Sequence, residues 1–106
     1  MIPHVDVRHI VYEVFNVLRL SADFVLRKIF HVSLLIPIRR NKVGNDVLYI
    51  NDTVACVIET CDGSKNKDEL VEFVVNKFND DNKNEIRKDI EKLLLMLQEM
   101  GLIEED

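Results

Sequence analysis

Two cysteines and three histidines are the residues of this chain best suited to metal binding or nucleophilic chemistry, and their spacing supports neither. Cys56 and Cys61 fall five apart in a stretch predicted to be helical, about 140° apart around its axis, which argues against a shared metal or an easy disulfide. Two buried thiols in a reducing compartment are the simpler reading. His4, His9 and His31 are scattered, with no Cys at ligand spacing and no carboxylate partner, so no metal site is expected. The chain has no glycine-rich phosphate loop and no Ser, His and acid constellation with a known spacing. These residue types point away from an enzyme, a cofactor or a metal, and toward binding.

The totals narrow what could be bound. At 106 residues the chain is one domain with a single modest core, and 47% hydrophobic with 31% charged residues is the composition of an ordinary globular fold. A formal charge of -5 works against a nucleic-acid partner, because phosphate neutralisation needs clustered Lys and Arg. The one basic cluster free of interleaved acids, Arg27, Lys28, Arg39, Arg40 and Lys42, predicts at most a local basic edge. No stretch approaches a membrane span and the start lacks the pattern of a signal peptide, so no membrane partner and a cytoplasmic location are expected.

The elements that must position a binding surface come from the periodicity. In the last helix, over residues 84–100, Ile86, Ile90, Leu93, Leu97 and Met100 fall at steps of four, three, four and three, one continuous stripe. Leu94 and Met96 flank it on opposite sides, and Leu95 points away. Such a helix, about 25 Å long at 1.5 Å rise, can bury its main face and still offer a shoulder to something else. Residues 3–21 carry Val7, Ile10, Val11, Val14, Phe15 and Leu18 at helical spacing, predicting an N-terminal amphipathic helix. Docking on its own domain is its simplest use; a homodimer or a larger partner are the alternatives.

Residues 24–30 and 33–39 are rich in β-branched and aromatic side chains and read as two strands with a tight reversal near His31 and Val32. Residues 46–50 form a third, after a loop at 41–45. Asn51, Asp52 and Thr53 then offer N-caps to a helix whose buried side is Val54, Val57, Ile58 and Cys61, and which Gly63 stops. Asn66 with Glu69 opens the next helix with a capping box, its inward side being Leu70, Val71, Val74 and Phe78. Strands followed by helices predict an α+β fold: a winged-helix-like, three-stranded antiparallel sheet followed by three helices, with an additional N-terminal helix.

The blocks Leu20-Ser21-Ala22-Asp23-Phe24-Val25-Leu26-Arg27, Leu35-Ile36-Pro37, Leu48-Tyr49-Ile50-Asn51-Asp52-Thr53, Cys61-Asp62-Gly63, Asp68-Glu69-Leu70-Val71 and Asp89-Ile90 through Leu97 to Gly101-Leu102-Ile103-Glu104, in this order, resemble the PqqD family. That family supplies the recognition element (RRE) for ribosomally made, post-translationally modified peptides (RiPPs). The resemblance spans 18–104. It departs from the family where a Trp is common in the first helix of the trio and this chain has Ile58 or a neighbour, and in the segment before Ser21. It divides the chain into an extension at 1–18 and a recognition domain at 19–106.

The resemblance implies a non-catalytic domain that takes the leader segment of a precursor peptide as an added strand. The leader lies between the third strand and the last helix and is presented to a maturation enzyme, often a radical S-adenosylmethionine (SAM) protein. Val47, Leu48, Tyr49 and Ile50 would then be the receiving edge. On the facing helix, Arg87, Glu91, Leu94 and Gln98 share one shoulder, with Leu94 beside Ile90 as the apolar anchor; Asp89, Lys92 and Met96 make the other. The competing reading is a winged-helix DNA-binding regulator. The helices that would read DNA carry Asp52, Glu59, Asp68, Glu69 and Glu72 against Lys67 and Lys77, which disfavours it.

Overall fold

A computed structural model of the chain describes residues 16–78 and 81–105. In chain order these form β1 (Val17–Leu20), β2 (Phe24–Ile29), β3 (Val32–Pro37), β4 (Leu48–Ile50), α1 (Asp52–Thr60), β5 (Asp62–Asn66), α2 (Lys67–Val75), α3 (Lys83–Glu99) and β6 (Ile103–Glu105). The architecture is α+β, with two three-stranded antiparallel sheets among the described residues, ordered β5-β1-β6 and β2-β3-β4.

The β2-β3-β4 sheet is the one the sequence predicts. Its hairpin pairs Ile29 with Val32, leaving a reversal at Phe30 and His31 in which Phe30 takes a left-handed φ of 55°. The other sheet departs from expectation. Residues 17–20, placed in the N-terminal helix by periodicity, form instead the central strand of the second sheet, because β5 and β6 pair with both of its edges. The rest of the predicted N-terminal helix, up to residue 15, lies outside the described residues. Gly63 does not stop α1: the helix closes at Cys61, whose N–H donates to the Val57 and Ile58 carbonyls, and Gly63 sits in β5 with φ 84°.

Local signals set the helix ends. Asn51 Oδ1 accepts from the Val54 N–H at 2.8 Å and starts α1. Asn66 Oδ1 accepts from the Glu69 N–H at 2.9 Å while Glu69 Oε1 accepts from the Asn66 N–H at 3.2 Å, a reciprocal capping box at the start of α2. At the end of α3 the Gly101 N–H donates to the Gln98 carbonyl and the Leu102 N–H to the Leu97 carbonyl, with Gly101 at φ 75°. Lys42 methylenes lie 3.6 Å from where a Cβ on Gly101 would stand. That turn sends Leu102 and Ile103 back into the core and starts β6.

One core unites both sheets and all three helices, through Leu18 of β1, Leu35 of β3, Val57 of α1, Leu70 and Val74 of α2 and Leu94 of α3, each 1% exposed or less. Burying each such side chain contributes about 1.5–3 kcal/mol.

Candidate functional site

The β2-β3-β4 sheet ends at β4. Leu35, Leu34 and Ser33 pair with Leu48, Tyr49 and Ile50, and no strand pairs with the opposite side of β4 among the described residues. Alternation sends Leu48 and Ile50 inward, half-buried against the core, while Tyr49 is 80% exposed. Val47, just before the strand, is exposed as well. An open margin of this kind presents unpaired N–H and C=O groups to any extended chain alongside it.

The helix expected to face that edge is α3, and its stripe is centred differently from the periodic reading. Ile90, Leu94 and Leu97 are buried, while Ile86, Leu93 and Met100 are half-buried at the core's rim. The centre therefore lies between Ile90 and Leu94. Leu94, expected as the apolar anchor on the shoulder, has no exposed surface. The reason is tertiary: α2 packs against α3 and is tied to it through Glu72 and Arg87, on the flank that carries Leu94.

Arg87 shows the same flank from outside. Its Nε donates to Glu72 Oε1 on α2 at 2.7 Å and its Nη1 to Asn84 Oδ1 at 2.9 Å. Glu91 is exposed and lines a shallow hollow of about 280 Å³ with Lys67, Lys88, Lys92 and Leu95. Gln98 instead lines a cleft of about 470 Å³ with Asp23, Arg40, Asn41, Lys42 and the Gly101 turn. Neither cavity contains a residue of β4. The structure thus sends the four shoulder residues to four different surroundings: an ion pair, a hollow, the core and a cleft. The apolar residues left at the surface of α3 are Leu95 at 54% and Met96 at 50%. On the helical wheel, Met96 continues the half-buried row of Ile86, Leu93 and Met100, on the flank away from Arg87.

Electrostatics at these surfaces favours charged groups staying charged. The Arg87 guanidinium holds the Glu72 carboxyl below the usual range, and Glu59, at 2.6 Å from Lys28, raises that ammonium. The Ser64 hydroxyl and N–H hold Asp62 low. Burial pushes the Cys61 thiol up to about 12. None of these shifts moves a group toward the neutral range that general acid or base catalysis needs. Among the described residues no cluster of His, Cys, Asp or Glu is placed to hold a metal.

Sequence reasoning missed β5 and β6. Asp62-Gly63-Ser64-Lys65-Asn66 has no apolar alternation, and Ile103-Glu104-Glu105 offers a single apolar residue. The return of the chain at Gly101 was the available signal, since a helix that ends in such a turn sends its next residues back along the fold.

Comparison with known proteins adds two findings. The profile of the family described as "Coenzyme PQQ synthesis protein D (PqqD)" matches residues 35–103. A solved structure, "TbiB1 in Complex with the TbiA(beta) Leader Peptide", superposes with a TM-score of 0.62 at 16% sequence identity, covering 81% of this chain and 94% of that one. A search of the curated proteins gives no match.

Proposed function

This chain belongs to the PqqD family, and from that premise we propose that it is a non-catalytic recognition protein for RiPP leader peptides. It captures the leader by strand addition and presents it to a maturation enzyme of the radical SAM class. The observation that carries the reading is the open margin of β4, in a fold shared with a protein solved in complex with a leader peptide.

In this reading the backbone of Val47, Leu48, Tyr49 and Ile50 pairs with the guest, and α3 is the facing wall. Leu48 and Ile50 share the rim of the core with Ile86, Leu93 and Met100. We place the guest's apolar side chains against that rim and Met96, because Arg87 is held by Glu72 and Leu94 is enclosed. Gln98 and its cleft lie at the helix's C-terminal end. Backbone pairing supplies affinity, and pockets for alternate side chains supply selectivity.

In this reading residues 1–18 are an extension and 19–106 the recognition domain, with β1 running across that boundary. We place the protein in the cytoplasm, a reading supported by two free thiols. No helix among the described residues is long and apolar enough to cross a membrane.

The test is fluorescence polarisation with the leader of the precursor peptide encoded nearby, beside an electrophoretic shift with bulk duplex DNA at low salt. Saturable leader binding that is lost when alternate guest amides are N-methylated supports strand addition. Binding indifferent to methylation, or a DNA shift without leader binding, overturns the proposal.

A further inference from the structure

The β2-β3-β4 sheet carries apolar side chains on both of its faces. One face, with Phe24, Leu35 and Ser33 buried, packs on the core. Its register puts Val25 beside Ile36, Arg27 beside Leu34 and Tyr49, and Ile29 beside Val32 on the other. Ile29 is 51% exposed, Val32 44% and Tyr49 80%. An antiparallel sheet with one face on a core normally turns polar residues to water. Here the single charge is Arg27, which among the described residues makes no ion pair and donates to its neighbour's carbonyl, Leu26 O, at 3.4 Å. A face of this composition is built to be covered.

We infer that this face is the docking site of the chain's own N-terminal segment, residues 1–15. Three observations converge on that occupant. The segment carries Val7, Ile10, Val11 and Val14 at the spacing of one helical stripe. Drawn as a helix at about 100° per residue, Asp6 and Glu13 both fall beside Ile10 on one flank of the stripe, where a carboxylate can meet Arg27. Size and tether agree as well. Twelve helical residues run about 18 Å, close to the roughly 20 Å of a six-residue strand. Nine residue steps of chain from Asn16 to Val25 keep the two within about 30 Å of each other. A second copy fits less well, since a two-fold contact through this face would bring Arg27 toward its own mate.

The inference stands apart from the peptide-binding reading, because it concerns the flat of the sheet and not its margin. It is tested in the full chain with the photo-crosslinking residue p-benzoylphenylalanine at Tyr49 and, separately, at Val32. Irradiation followed by peptide mapping is expected to join each position to a peptide from residues 1–15 within one molecule. Crosslinks between two copies, or none to residues 1–15, overturn it. As a second readout, Ile10→Asp with Val14→Asp is expected to release the segment, raising binding of an apolar dye and self-association while circular dichroism keeps the signature of the fold. If dye binding and self-association match the parent, the face is not covered by this segment.

Discussion

One oxygen of Glu72 holds two donors of Arg87: Oε1 accepts from Nε at 2.7 Å and lies 2.7 Å from Nη2, tying α3 to α2. Both side chains are solvated, so the pair adds little to stability. Arg87→Ala is expected to lower stability slightly at pH 7. Because Arg87 lowers the Glu72 pKa, the contribution is complete above the ordinary carboxylate value of 4.5 and fades as pH falls through the lowered one. Urea denaturation of parent and variant should therefore differ at pH 7 and converge near the acid end of the titration.

Leu94 and Met96 sit two residues apart on α3 and do different work. Leu94 is fully enclosed, so Leu94→Ala is expected to cost about 2–5 kcal/mol by denaturant titration. Met96 is half exposed on the flank we assign to the guest; Met96→Glu should keep the parent's stability and weaken leader binding by about 1–3 kcal/mol. Parent-like affinity in Met96→Glu would move the guest to another flank.

Cys61 is buried with its thiol pushed up to about 12, so almost no thiolate exists in the fold at pH 8. Alkylation followed by mass spectrometry should leave Cys61 unmodified in buffer and label it fully in denaturant, with the half-buried Cys56 reacting earlier. Equal labelling rates for the two in buffer would contradict this placement.

The capping box at Asn66 is local and separable. Asn66→Ala should cost about 1 kcal/mol, and Asn66→Asp should recover most of it, because the carboxylate can take the same bond from the Glu69 N–H. Chemical denaturation of the three proteins decides it.

Phe30 is 96% exposed at a φ of 55°, so its side chain gives the fold no packing while its Cβ opposes the left-handed backbone. Phe30→Gly is expected to raise stability by up to about 1 kcal/mol, the size of that steric penalty. A clear loss of stability would show that the ring is packed against something.

What could be read from the residues alone was whatever depends on near neighbours. The cap at Asn51, the reciprocal bonds of Asn66 and Glu69, the reversal before Val32 and the helical run ending at Gly101 are each decided within a few positions of chain. The order of strands before helices, and the blocks that resemble the PqqD family, followed from these. Tertiary structure decided the rest. Leu18 continues the helical spacing of the apolar residues before it, yet Val17–Leu20 is a strand because β5 and β6 reach it from more than 40 positions away and satisfy both of its edges. Leu94 lies off the periodic stripe, yet it is core because α2 covers that flank, and Arg87 is drawn to Glu72 by the same packing. Periodicity reports which side chains share a face. Only the arrival of another element determines how wide a face is buried, and which backbone edge is left open.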